Sequence, residues 1–497
     1  MLYFKSQFWK STSLFVVVIN QIGFSQAVEN ETKSFSDSTT NYASITGFGS
    51  TGSRTPFWIQ TNQFGTIPAT GPAGRGAVGL ERYWKLGSGT KAEQNTWRLG
   101  AGAEVVGNMA ENSQLILPQA HVTLRYKNWE LFAGRRKQWV GLADSTLSSG
   151  SYSWSTNALP IPKIQFGTTK FVNVPFTKGW IAFQAFYSDG WFDRNRPVTS
   201  NLKLHQKTLY GRIGKPTSML KFYGGFNHQV QWGGKSAFNT VDDQMPNDLR
   251  NYFNAVTGKA KTKNASHHDA TGRVGNHLGS IDLAMEIETR GLNIFMYRQN
   301  IYEDGSLFWL SNIQDGLNGI RFKRKNSYGS NFEINTLLLE FLYTKSQGGP
   351  DTDGPSWMRG KDDYFNNGQV RDGWSYNGRG IGTPFIPPTS ETSWNWPIYS
   401  NFFTSNNRVA VYHVGLSGTL FQDIIWESKL SYSSNSGAYD SRFAGTPEQF
   451  SGMLSLQTKL NALGGIHSKL SLAADIGDLY PKTYGFSFGF MKDISFK

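Results

Sequence analysis

From about residue 42 onward, apolar and polar positions alternate in short runs. Ile281, Leu283, Met285 and Ile287 alternate with Asp282, Ala284, Glu286 and Glu288. Trp97, Leu99, Ala101, Ala103 and Val105 alternate with Arg98, Gly100, Gly102 and Glu104. Ala120, Val122, Leu124 and Tyr126 alternate with His121, Thr123, Arg125 and Lys127. Similar runs lie near 180–187, 208–213, 219–232, 293–299, 332–343, 409–416, 424–432, 452–458 and 466–474. A period of two puts successive side chains on opposite faces, so each run predicts a strand with one apolar and one polar face. No helical pattern of ordinary length competes, although 91–118 is ambiguous. A soluble sandwich has the same alternation, so the period alone leaves two folds open.

The C-terminal run separates them. Tyr484, Phe486, Phe488, Phe490, Ile494 and Phe496 share a face broken only by Lys492, opposite Gly485, Ser487, Gly489, Met491, Asp493, Ser495 and Lys497. A soluble strand this aromatic has to be buried. A membrane barrel needs such a strand to pair with its first one, aromatics toward lipid and small or polar residues toward the lumen. The run also resembles the terminal signal read by barrel-assembly machinery, with Phe496 one residue short of the end. The expected fold is all-β, a large antiparallel transmembrane β-barrel. At roughly 9–11 residues per spanning strand the chain accommodates about 16–18 strands, with long extracellular loops. The loop candidates are Lys345 to about Asn401, Gly233 to about Asn276, and Gly141 to Pro162. Loops of that length inside an ordered fold are usually functional.

Composition agrees. Of 497 residues, 14% are aromatic and 54 are Gly, while charged residues reach only 17%. That balance favours strands and excludes intrinsic disorder. No run of about 18 apolar residues is present, so no helix crosses a membrane. The absence of Cys excludes disulfides, thiolate metal sites and Cys nucleophiles. Lys5 and Lys10, the apolar Leu14–Ile19 and the small residues Gly23 and Ser25 predict a secretory signal over 1–25. A flexible lead-in over 26–41 and the barrel over 42–497 complete the expected organisation. Export, with basic residues scattered among strands, disfavours nucleic acid despite a net charge of +13.

Four blocks in order carry a family resemblance. They are Thr55–Gly65, then Ala133–Gly141 with Leu147–Asn157 and Pro160–Pro162, then Tyr297–Ser306 with Asp315–Ile320, and finally Asp363–Gly368 with Gly373–Tyr376 and Gly380–Pro384. The chain resembles the capsule-assembly Wzi family of outer-membrane proteins, in its Bacteroidota form. The resemblance implies a monomeric outer-membrane barrel of about eighteen strands, a surface lectin that anchors capsular or exopolysaccharide. It also implies a plug of periplasmic helices, for which this chain shows no clear pattern. A porin or substrate-selective channel is the alternative, and an outer-membrane hydrolase a second.

The candidate polysaccharide contacts lie in the longest loop: Trp357, Arg359, Arg371, Trp374, Tyr376, Arg379, Trp394 and Trp396. Flat aromatics stack on sugar rings, and guanidinium groups bond hydroxyls and carboxylates. The same Trp side chains serve equally to pack the loop or to form a membrane-interface belt. The basic runs Arg135–Lys137 and Arg321–Lys325 suit an acidic polymer, anionic lipopolysaccharide or plain solvation. Outer-membrane lipid and lipopolysaccharide are therefore expected neighbours. Asp351, Asp353, Asp362 and Asp363 lack Ca²⁺-loop spacing, and His267-His268-Asp269 cannot converge easily on one ion. No metal, cofactor or catalytic set is therefore expected. Glu81, Glu104, Asp282, Glu286, Glu288 and Glu333 are expected to face the lumen; paired carboxylates can cleave glycosides, but bonding with Arg across the barrel is the commoner case.

Overall fold

The computed structural model describes residues 40–86, 96–259, 273–303, 306–350, 360–393, 396 and 402–494. Eighteen strands run up and down around a closed antiparallel barrel. The first six are β1 (Thr40–Ser50), β2 (Ala73–Leu86), β3 (Trp97–Met109), β4 (Gln114–Tyr126), β5 (Trp129–Arg135) and β6 (Lys163–Thr168). Next come β7 (Ile181–Trp191), β8 (Lys203–Ile213), β9 (Leu220–Trp232), β10 (Asn276–Glu288), β11 (Leu292–Tyr302) and β12 (Gly316–Arg324). The last are β13 (Phe332–Tyr343), β14 (Val409–Leu420), β15 (Ile424–Asn435), β16 (Glu448–Leu460), β17 (Ile466–Gly477) and β18 (Thr483–Asp493). The ambiguous stretch 91–118 holds β3 and the start of β4. β18 closes the barrel on β1, with Ile45 opposite Phe490 and Gly47 opposite Phe488. Closure removes the sheet edges that lipid cannot satisfy.

The period of two sets what each face meets. Ile281, Leu283, Phe486 and Phe488 are exposed on the outer wall, while Asp282, Glu286 and Glu104 are buried inside. Apolar side chains thus meet lipid and polar ones the lumen, the inverse of a soluble sandwich. Short turns such as 127–128 and 289–291 mark the periplasmic end, where β1 begins and β18 ends. The long connections all leave from the other end.

Three of these connections fill the lumen. Residues 138–144 and 147–161, expected as an external loop, are buried throughout. β5 and β6 are short, so the chain turns inward partway up the wall. Strand side chains replace the missing ladder partners of this irregular backbone, as buried N–H and C=O groups require. Asp282 accepts from Leu142 N at 2.9 Å, and Glu340 from Ser149 N at 2.6 Å. Gln299 accepts from Tyr152 N at 2.9 Å, and a His413 ring nitrogen lies 2.7 Å from Leu147 O. Gly141 crosses this layer at φ 112°, where a Cβ would sit 2.5 Å from Gln299 Nε2. The position demands Gly for both space and conformation.

The connection 51–72 adds a short helix, α1 (Phe57–Gln60), and bonds Phe64 N to Thr156 O. The long connection 344–408 joins through Ser155 N to Ile381 O and Thr383 N to Tyr152 O, both at 2.9 Å. Phe57, Trp139, Tyr152, Trp154, Tyr364, Phe365, Trp374 and Ile381 share one core. The plug is therefore made of inward-folded extracellular connections; among the described residues no periplasmic helix takes part.

Candidate functional site

What remains outside is the covered mouth of the barrel. The connection 344–408 spans it and is fastened on three sides. Arg371 lays its guanidinium over the Phe238 ring at 3.6 Å and near Phe402 at 5.1 Å, tying it to the β9–β10 connection. Arg379 donates to Ile67 O at 2.8 Å and so holds the β1–β2 connection. Trp396 donates its indole N–H to Asp478 O at 2.7 Å and stacks on Phe443 at 5.0 Å. Between these anchors the chain dips into the lumen and makes a two-rung hairpin, Ser375 opposite Gly380 and Tyr376 opposite Arg379. The exposed tip of that hairpin is Asn377-Gly378.

The predicted contacts therefore separate. Trp374 is completely enclosed, and Tyr376 is buried with its hydroxyl accepting from Arg135 at 2.6 Å. Both pack within the core of the plug. Arg371, Arg379 and Trp396 stay partly exposed, on different sides of the mouth. Trp357, Arg359 and Trp394 lie outside the described residues, as do Asp351, Asp353 and His267-His268-Asp269.

The basic runs are not simple surface charge. Lys137 pairs with Glu104 at 2.6 Å and Arg136 with Glu130 at 2.6 Å, inside the barrel. Arg321 points inward to Asp144 at 3.0 Å. Burial pushes the Asp144 carboxyl up, but Arg321 and the N–H groups of Leu147 and Thr146 outweigh it and hold the group below the usual carboxylate range. Lys325, at the periplasmic turn, pairs with Glu288. The expected luminal carboxylates do face inward, but Asp282 serves backbone N–H and Gln299 rather than a cation. Glu333 caps the periplasmic turn 325–331 through Tyr328 N and Ser330 N. Asp362 accepts from Ser306, and Asp363 from Asn366 and Asn407. No group of metal-ligating side chains converges among the described residues.

One surface cluster escaped the sequence. Arg408 stacks on Tyr439 at 3.8 Å, with Arg442 at 5.8 Å from the same ring. Tyr439 donates to Ser346 O at 2.8 Å, and Lys361 pairs with Asp440 at 2.6 Å. These residues come from both ends of 344–408 and from the β15–β16 connection. Nothing in sequence brings them together, since they are far apart along the chain. At the rim they offer an aromatic ring, two guanidinium groups and an ammonium group. Such groups stack on sugar faces and bond hydroxyls or carboxylates.

Inside, a cavity of about 20 Å³ lies among Phe64, Arg136, Gln138, Trp154, Ser155 and Lys163. That is room for about one water.

The family model for the capsule assembly protein Wzi matches residues 62–413, well over half of the chain. Among solved structures, the chain is similar to one from Escherichia coli described as Wzi, an outer membrane protein involved in group 1 capsule assembly and a carbohydrate-binding β-barrel. The likeness has 16% identity and a TM-score of 0.57 over 91% of this chain and 85% of that one. OccAB4 of Acinetobacter baumannii gives 11% identity and a TM-score of 0.46, over 92% of this chain and 98% of that one. OpdL of Pseudomonas aeruginosa gives 9% and 0.45, over 92% and 98%. No curated protein matches the chain.

Proposed function

We propose the role of this barrel from the premise that the chain belongs to the capsule-assembly Wzi family. Its covered mouth is a lectin surface that binds capsular or exopolysaccharide and anchors it to the cell. The observation that carries this reading is the mouth itself. The connection 344–408 is fastened on three sides over a packed plug, so the extracellular end offers a fixed surface rather than a pore.

The contacts fall on the partly exposed Arg371, Arg379 and Trp396, with Trp357, Arg359 and Trp394 from the same connection. The rim cluster of Arg408, Tyr439 and Arg442 joins them. Trp374 and Tyr376 act by holding the loop in shape. The cationic rim suits an acidic polymer, so binding weakens as salt screens it. Each contact is weak, but one polymer engages many barrels, and avidity makes retention tight.

Binding is favoured over catalysis because the inward carboxylates are engaged by protein groups, Asp282 by Leu142 N, Glu104 by Lys137 and Glu286 by Lys221 and Tyr223. The same reading has the barrel inserted by the barrel-assembly machinery and standing as a monomer among lipid and lipopolysaccharide.

The test compares cell-bound with shed polysaccharide in three strains. The first has the chain deleted, the second carries Tyr439→Ala with Arg442→Ala, and the third is wild type. Loss of retention in the first two is expected. Wild-type retention in the deletion strain overturns the function. Retention in a folded rim variant overturns the rim assignment alone.

A further inference from the structure

The β9–β10 connection behaves unlike the three that enter the lumen. It carries a helix, α2 (Leu249–Thr257), capped by Asp248 accepting from Asn251 N and ended by Gly258 in the left-handed region. On β8, β9 and β10 the residues that alternate with the luminal ones are His205, Val230, Trp232 and His277, so they belong to the outer wall. All four are nevertheless buried. α2 covers the first three: Ala255 and Tyr252 pack with Val230, Trp232 and Val274, and Tyr252 meets the His205 ring at 6.0 Å, while His277 lies against His228 and Val274 O. Lys207, also outward, donates to Val256 O at the end of the helix at 2.5 Å. Tyr252 reaches Asp189 on β7 at 3.0 Å. The helix thus lies against the outside of the barrel at its extracellular end.

Its free face is apolar. Leu249 and Phe253, one turn apart, are 72% and 57% exposed. The neighbouring β11–β12 connection also folds outward. Arg298, on the outer wall, donates to Ile313 O and Asp315 O and draws that connection down. It exposes Phe308 at 78%, Leu310 at 60% and Trp309 at 49%. Below both segments the wall continues with exposed Tyr187, Leu209 and Ile281.

We propose that α2 and the segment 306–313 form an interfacial collar on one side of the barrel, inserting Leu249, Phe253, Phe308, Trp309 and Leu310 into the lipid of the outer leaflet. Continuity with the lipid-facing wall selects this occupant. In water such a patch is unfavourable, whereas at a membrane interface an amphipathic helix and aromatic side chains are at home. Exposed Arg250 and Lys259 flank the apolar face of the helix, at the level suited to phosphorylated headgroups. The collar extends the membrane contact above β8–β12 only.

The chain has no native Cys, so a single spin label is unambiguous. Phe253→Cys and Leu310→Cys, labelled in the full chain in liposomes, are read by collision with oxygen and with a water-soluble nickel chelate. Asp242→Cys on the exposed part of the β9–β10 connection is the aqueous control. Barrel folding is confirmed by heat-modifiable migration. The expected result is several-fold greater relaxation by oxygen than by nickel at 253 and 310, and the reverse at 242. Greater relaxation by nickel at 253 and 310 overturns the proposal. So does shielding from both reagents, which means protein contact with a partner or a second copy.

Discussion

Arg321 on β12 donates to Asp144 in the plug at 3.0 Å, with both side chains almost fully enclosed. The pair locks the irregular segment 136–162 to the wall. Asp144→Asn leaves the guanidinium buried without its carboxylate, which costs about 3 kcal/mol. The barrel, held by its ladders, stays folded. The plug loosens, and single-channel recording is expected to show brief opening bursts that the parent protein lacks.

The packed lumen predicts little or no steady conductance for the intact protein in planar bilayers. Removing residues 147–157 takes out the middle of the plug, including Tyr152 and Trp154. That variant is expected to conduct stably. Porin-like conductance of the intact chain would argue for the channel alternative.

Asp315 fastens the base of the long connection, accepting from Gln347 N at 2.7 Å, Ser346 N at 3.0 Å and Tyr364 Oη at 2.7 Å. Burial pushes its carboxyl from 3.8 up to about 6, against the opposing effect of those donors and Arg408. The folded state therefore holds a proton that the unfolded chain releases between these values. By linkage this contribution is fully present below about pH 4 and is lost as pH rises through about 6. Hydrogen exchange at Ser346 and Gln347, corrected for intrinsic rates, is expected to show more protection at low pH. Asp315→Asn should flatten that dependence.

Phe488 points outward from β18, with its backbone opposite Gly47 of β1. Phe488→Lys places a charge on the lipid face at the closing seam, costing about 2–4 kcal/mol near the midplane. Assembly into a heat-modifiable barrel is expected to fail, while Phe488→Leu assembles.

Trp374 is enclosed in the plug, so Trp374→Ala opens a cavity and costs about 3–5 kcal/mol. Greater protease sensitivity in 360–386 is expected alongside any loss of polysaccharide. Arg371→Ala, near the surface, is expected to lower retention mainly at low salt and without that sensitivity.

Strand identity and facing were legible because they follow from local alternation. Ile281 and Asp282 are adjacent in sequence, and period two alone sends one to lipid and the other to the lumen. Phe486, Phe488 and Phe490 announced the closing strand for the same reason. The extracellular connections carried no such rule. Segments 141–162 and 233–276 both read only as long loops in sequence, yet the first fills the lumen and the second lays the helix α2 against the outer wall.

What the sequence by itself determined is the barrel, from its period of two and its aromatic last strand, its inside and outside, from residues two apart, and its approximate strand number, from the length of the chain. Only the tertiary structure decided the destination of the long connections and the gathering of Arg408, Tyr439 and Arg442 at the rim. The reason is that those outcomes depend on distant surfaces meeting. Leu142 needs the acceptor on Asp282, 140 positions away, and Ala255 needs the apolar shelf of Val230 and Trp232. No local pattern encodes either partner.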